Sequence, residues 1–291
     1  MALGWALGAS GFAASVVDVN SGELGKNAIV DGVSTIGGVE ALEPEAVAES
    51  ARLVDEAKRI VILTGAGIST DSRIPDFRGP KGVWTRNPEA EKQATIHNYL
   101  ADPEVRRRAW RSRLDSPMWG AEPNRGHIAL TRIEARRKLS LLITQNVDGL
   151  HQDAGSDPDR IVEVHGTARS VVCMTCSYRE SMPEVLNRVR LGEDDPDCPV
   201  CGGILKSATI SFGQNLVAED LYRAQQAAEA CDLLIAVGST LAVYPIANVV
   251  PVARNHGARL VIVNGSPTEL DYLADVVVRA SISNVMADIC G

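Results

Sequence analysis

Residues 146 to 165 bring together three side chains of different chemistry: the carboxamide of Asn146, the carboxylate of Asp148 and the imidazole of His165. An amide both donates and accepts, and a carboxylate accepts from hydroxyls. An imidazole with an intrinsic pKa near ~6.5 takes up a proton at neutral pH. Together they can orient a polyhydroxylated group and remove a proton from it. They stand in Thr144-Gln145-Asn146-Val147-Asp148-Gly149-Leu150-His151 and, further on, Val164-His165-Gly166. The apolar run before them, residues 139–143, reads as a buried parallel strand. The polar residues therefore fall at its carboxyl end, where open α/β sheets place their ligands.

A second apolar strand, Ile60-Val61-Ile62-Leu63, runs into Thr64-Gly65-Ala66-Gly67-Ile68-Ser69. Gly65-x-Gly67 after a strand either cradles a phosphate against backbone N–H groups or makes an ordinary strand-to-helix turn. Thr70 stands where the dinucleotide fingerprint has its third glycine, so the loop alone leaves both readings open. The continuation, Ile74-Pro75-Asp76-Phe77-Arg78-Gly79-Pro80, favours a ligand. Arg78 can pair with phosphate and Phe77 can cover a flat ring. Gly238-Ser239-Thr240 and Asn264-Gly265-Ser266 each follow another apolar strand. Singly each is a common helix cap; at the ends of several parallel strands they outline a groove for a dinucleotide.

Cys173-x-x-Cys176 is followed, after residues 177–197, by Cys198-x-x-Cys201-Gly202-Gly203. Two such pairs present four thiolates to one tetrahedral Zn²⁺, or else form two redox pairs. Four thiolates leave no open coordination position, so one zinc per chain would be structural.

These residues need a scaffold. Apolar strands read at 60–63, 139–144, 161–164, 233–237, 260–263 and 276–278, with helical stretches at 45–59, 219–230 and 244–255 among them. Such alternation predicts an α/β fold: a Rossmann-like parallel sheet with helices on both faces. Residues 75–123 read as a loop with a helical insert, and residues 173–201 as a small metal-stapled module. Together they form a smaller, discontinuous domain. Residues 1–43, rich in Gly, Ala, Ser and Val, read as a disordered extension. Residues 1–22 lack the Lys or Arg of a secretory signal or a transit peptide.

The 291 residues carry a net charge of −8, which argues against a nucleic-acid binder. Arg106, Arg107, Arg108, Arg111 and Arg113 spread around a helix and read as a solvated face. Glu193-Asp194-Asp195 argues against nucleic acid at the zinc module. Six cysteines, four of them in CxxC pairs, suit a reducing, cytoplasmic setting. No apolar run reaches the ~20 residues of a membrane span. The sequence carries no reading of oligomeric state.

In the order and spacing of these motifs, with Val243-Tyr244-Pro245, the chain resembles the sirtuin family, NAD-dependent protein lysine deacylases, and looks like a bacterial member. The resemblance covers roughly residues 45 to 290. It implies removal of acetyl or related acyl groups from protein lysines, with release of nicotinamide and O-acyl-ADP-ribose. His165 would be the general base, with Asn146 and Asp148 at the nicotinamide and its ribose. Contacts to NAD would come from Gly65, Ala66, Gly67, Ser69, Asp76, Phe77, Arg78, Gln145, Gly238, Ser239, Asn264 and Ser266. The acyl-lysine protein or peptide would meet Phe212, Gly213 and Val243, and Cys173, Cys176, Cys198 and Cys201 would hold zinc. The resemblance divides residues 44–291 into a Rossmann part (44–75, 124–166, 208–291) and a small domain (76–123 and 167–207).

The chain departs from the family pattern at Arg73, usually Gly, and at Lys206-Ser207-Ala208-Thr209-Ile210-Ser211-Phe212-Gly213-Gln214-Asn215. There a Pro-containing strand ending in Phe-Gly-Glu is usual, and an added peptide strand would pair. The departures keep mono-ADP-ribosyl transfer to a protein in view, and a third reading is a non-catalytic module that senses NAD or ADP-ribose and binds a partner through its zinc knuckle.

Overall fold

A computed structural model describes residues 44–76, 82–86 and 95–291; the expectation for residues 1–43 lies outside them. In chain order, helix α1 (Pro44–Glu56) leads into strand β1 (Ile60–Thr64) and a 3₁₀ segment, Ala66–Ser72. The short helix α2 (Val83–Arg86), α3 (Ile96–Ala101) and α4 (Pro103–Leu114) follow, then α5 (Arg125–Ala135), β2 (Leu139–Thr144), α6 (Leu150–Asp153) and β3 (Ile161–Glu163). Next come β4 (Gly166–Cys173), β5 (Arg179–Ser181), α7 (Met182–Arg190) and β6 (Leu205–Thr209). The chain closes with α8 (Ala218–Ala230), β7 (Leu233–Val237), α9 (Val249–Asn255), β8 (Arg259–Val263), β9 (Val276–Val278) and α10 (Ile282–Cys290).

Six strands form one sheet in the order β3-β2-β1-β7-β8-β9, every neighbouring pair parallel. Counted within that sheet alone the order is 3-2-1-4-5-6, the doubly wound arrangement whose strand order reverses between β1 and β7. The expected α/β fold is therefore present. All of β1 is buried, because successive residues face opposite layers. Ile60 and Ile62 pack with Leu53, Leu130, Ile133 and Met286 on one side. Val61 and Leu63 pack with Ala224, Ala228, Val250 and Ala253 on the other. Burial of both faces accounts for strands without polar alternation.

The cysteine region holds more structure than a stapled loop. Strands β5-β4-β6 make an antiparallel sheet, and α7 lies between the two cysteine pairs. Met182, Val185, Leu186 and Val189 recur at helical spacing and are buried against Val171, Leu205 and Trp110 of α4. Helix α4 also departs from the solvated face expected of its arginines. Arg106 pairs with Asp195 at 2.8 Å, their side chains only 11% and 16% exposed. Asp194 lies 3.3 Å from Arg107. The acidic linker thus binds the helix beside it. Residues 244–255, expected as one helix, divide into a 3₁₀ turn, Ile246–Asn248, and α9. No helix among the described residues is long and apolar enough to cross a membrane.

Candidate active site

At the reversal of strand order, the loops after β1 and β7 touch backbone to backbone. Gly67 N–H donates to Gly238 O at 2.8 Å. A Cβ on Gly65 would lie 2.7 Å from the Gly238 carbonyl oxygen, and one on Gly67 2.8 Å from Gly238 Cα. Gly238 has φ +64°, and a Cβ there would stand 2.4 Å from Ile68 N. Side chains at these three positions would push the crossing apart, so the glycines are set by close approach.

A cavity of about 1770 Å³ opens beside this crossing, larger than the ~300–1,000 Å³ of an ordinary small-molecule pocket. After β1 it is bordered by Gly65, Ala66, Gly67, Ser69 and Asp76, and after β2 by Gln145, Asn146 and Asp148. His165 lies just past β3. Gly238, Ser239 and Val243 come from beyond β7, and Asn264 and Ser266 from beyond β8. Phe212 and Gly213 line it after β6. Phe77 and Arg78 lie outside the described residues. Every other residue expected to carry the chemistry or to contact NAD or the acyl-lysine borders this one space.

Hydrogen bonds fix the polar groups. Gln145 Nε2 donates to Ser239 Oγ at 2.9 Å, tying the tip of β2 to the loop after β7. Asn146 Nδ2 donates to Gly65 O at 3.2 Å and to Ser69 Oγ at 3.1 Å. A carbonyl oxygen only accepts, so the NH₂ end must face inward and Oδ1 is the other end of the amide. Asp148 is held at both oxygens, Oδ1 by Leu150 N–H at 3.0 Å and Oδ2 by the Ser69 hydroxyl at 2.8 Å. His165 Nδ1 lies 3.0 Å from Gln145 O. Nδ1 must therefore carry the proton, and in the neutral ring Nε2 carries the basic lone pair. Gly166, at φ +71°, has the Ala208 oxygen 2.1 Å from where a Cβ would sit. A side chain there would part β4 from β6 next to His165.

The sequence reading gave no role to three further titratable groups near the cavity. His127 and His151 are buried, their ring centres 5.0 Å apart. Burial holds the pKa of His127 down at about 4, against the pull of Asp148, and that of His151 down at about 3. Their signal was structural: Asn124 caps α5 and His127 returns a bond to it, the Asx-x-x-His form of a capping box. Lys206 borders the cavity and is buried, donating to Ser207 O and Thr209 O; burial pulls its pKa down to about 8.

The thiol sulfurs of Cys173, Cys176, Cys198 and Cys201 lie within 4.8 Å of one another. Three pairs stand 3.4, 3.5 and 3.7 Å apart. A tetrahedron with Zn–S near ~2.3 Å has edges of about 3.8 Å, so the set fits one zinc ion with four sulfur ligands. None of the four borders the cavity, which suits a structural metal.

A family model for the Sir2 family matches residues 65–245. NAD-dependent protein deacetylase 2 of Streptomyces coelicolor is 50% identical over 227 residues, covering 78% of this chain and 94% of the relative. NAD-dependent protein deacetylase 1 of Bradyrhizobium diazoefficiens is 41% identical over 242 residues, covering 82% and 93%. Among solved structures, a Sir2 enzyme with a p53 peptide and NAD⁺ is 32% identical with a TM-score of 0.74, covering 82% of this chain and 94% of that one. A Sir2 enzyme bound to a propionylated peptide is 31% identical with a TM-score of 0.73, covering 82% and 95%.

Proposed function

The chain belongs to the Sir2 family, and on that premise we propose that it removes acyl groups from protein lysines in a reaction that consumes NAD. The products are the free lysine, nicotinamide and O-acyl-ADP-ribose. The observation that carries this reading is the convergence of Asn146, Asp148 and His165 on one cavity that also runs along the glycine crossing.

When bound, NAD supplies an ADP-ribosyl group whose ribose carbon gives up nicotinamide and accepts the acyl oxygen of the lysine amide. The glycine crossing leaves room for a diphosphate against main-chain N–H groups. Gln145, Ser239, Asn264 and Ser266 border the rest of that groove. Asp148 places negative charge where positive charge develops on the ribose, and Asn146 Oδ1 orients the departing amide. His165, its proton fixed on Nδ1, takes a ribose hydroxyl proton at Nε2. Phe212, Gly213 and Val243 form the wall for the acyl-lysine peptide. The zinc keeps β4 and the loop before β6 together and takes no part in the chemistry.

We assign residues 44–75, 124–166 and 208–291 to the nucleotide-binding part, and 76–123 with 167–207 to the small domain. The six cysteines, none of them in a disulfide, suit a reducing cytoplasm.

One observation favours mono-ADP-ribosyl transfer as a second reading. Gln214 Oε1 accepts the Ser211 N–H at 3.3 Å, occupying a main-chain donor in the segment where a peptide strand would add. Purified protein incubated with NAD and peptides carrying acetyl to long-chain acyl groups decides between them by mass spectrometry. Deacylation expects O-acyl-ADP-ribose and unmodified lysine. ADP-ribosyl mass retained on protein, with no deacylated peptide, contradicts it.

A further inference from the structure

Behind the strand tips lies a buried polar group that the reaction itself does not touch. His127 sits near the start of α5, fully buried, and does not border the cavity. Its neighbours determine which ring nitrogen holds the proton. The Asn124 main-chain N–H points at Nδ1 from 3.3 Å. An N–H only donates, so Nδ1 is the accepting lone pair. Burial keeps the ring neutral, with a pKa of about 4. The single proton therefore sits on Nε2, whose partner is Ser69 Oγ at 3.4 Å, a long bond. Asn146 Nδ2 donates to the same oxygen from 3.1 Å. With both lone pairs of Ser69 engaged, its own proton has one destination, Asp148 Oδ2 at 2.8 Å.

We infer that His127 is a positioning residue for this site: donating from Nε2 to Ser69, it fixes the direction of the Ser69–Asp148 hydrogen bond and anchors the oxygen that Asn146 shares. The donors run one way, from His127 to Ser69 to Asp148. Removing the first frees a lone pair on Ser69 and lets its hydroxyl turn away from the carboxylate. His151 stands edge-on to His127 and is itself held neutral by burial, so it presents no charge that would reverse the order. One residue thus serves two ends: Nδ1 caps α5, and Nε2 sets the carboxylate.

Two substitutions separate those ends. His127→Asn keeps a short acceptor for the Asn124 N–H but cannot reach Ser69. His127→Gln reaches Ser69 with its amide and gives up the cap. The inference rests on the deacylase reading for its kinetic readout, nicotinamide release from NAD and an acetyl-lysine peptide by the zinc-loaded protein. His127→Asn should lower kcat roughly tenfold, about the effect of one neutral hydrogen bond, with near-normal melting. His127→Gln should recover most of kcat while melting lower. In a Ser69→Ala background, His127→Asn should cost nothing further. Wild-type kcat in His127→Asn, or losses that add in the double variant, would overturn the inference.

The same cycle is read in NAD affinity, and the tautomer by ¹⁵N NMR of labelled histidine at pH 7. A wild-type protein that binds NAD without deacylating removes the deacylase reading and leaves both of these to decide. His127 protonated on Nδ1 overturns the inference outright.

Discussion

Lowering the pH from 7.5 to 5 should destabilise this protein through two histidines that never border its cavity. His127 and His151 are neutral in the fold, burial holding their pKa values down at about 4 and about 3, against the ordinary 6.5 of an imidazole. Unfolded, each takes up a proton as pH falls through about 6.5. Their contribution is complete above that pH and is lost as pH drops toward the folded values. At pH 5 the unfolded chain binds nearly two protons that the fold refuses. Linkage makes this about 2 kcal/mol per histidine, so about 4 kcal/mol together. The figure barely changes with how far below 5 the folded values lie. It is a large part of the ~5–15 kcal/mol that holds a typical domain. The assay is urea unfolding at both pH values, zinc saturating, for wild type and His151→Asn. Carboxylates and thiolates titrate alike in both, so the stability gap isolates one ring. It should narrow by about 2 kcal/mol at pH 5. A gap independent of pH would refute the reasoning.

Other outcomes follow from the same geometry. Cys173→Ser or Cys198→Ser should lose bound zinc and melting temperature together, read by metal analysis and calorimetry; full stability without zinc would contradict the closed site. Gly238→Ala forces a Cβ to 2.4 Å from Ile68 N at φ +64°. It should weaken NAD binding at least tenfold and cost about 1–3 kcal/mol or more, as strained backbone positions do. Asp148→Asn and Asn146→Ala should slow nicotinamide release by roughly a hundredfold, as loss of an electrostatic stabiliser does, with circular dichroism unchanged. Normal turnover in both would remove them from the site.

What was legible in the sequence were the ends of buried strands. Leu139 to Ile143 is apolar but for Ser140, so the run reads as a buried strand with the polar residues after it at a sheet rim, and the fold puts Asn146 and Asp148 there. The cysteine pairs were legible because the ligand spacing is local. His127 was not, because its pattern is that of a helix cap while its second partner, Ser69, lies 58 residues away. The antiparallel sheet around the zinc was missed for a related reason. Its second strand is short, β5 spanning only Arg179–Ser181, and the sheet is backed by α7 together with Trp110, which comes from outside the cysteine span. Arg106 read as a solvated residue because Asp195, which neutralises it, comes from the far end of that module.

The central claim is that His165 is the base in an NAD-dependent deacylation. The direct measurement is nicotinamide and O-acyl-ADP-ribose formation from NAD and an acyl-lysine peptide, in wild type and His165→Ala of matched zinc content and melting temperature. The account predicts product from the wild type and a loss of roughly a hundredfold or more in the variant. Deacylation at the wild-type rate without the imidazole would contradict it.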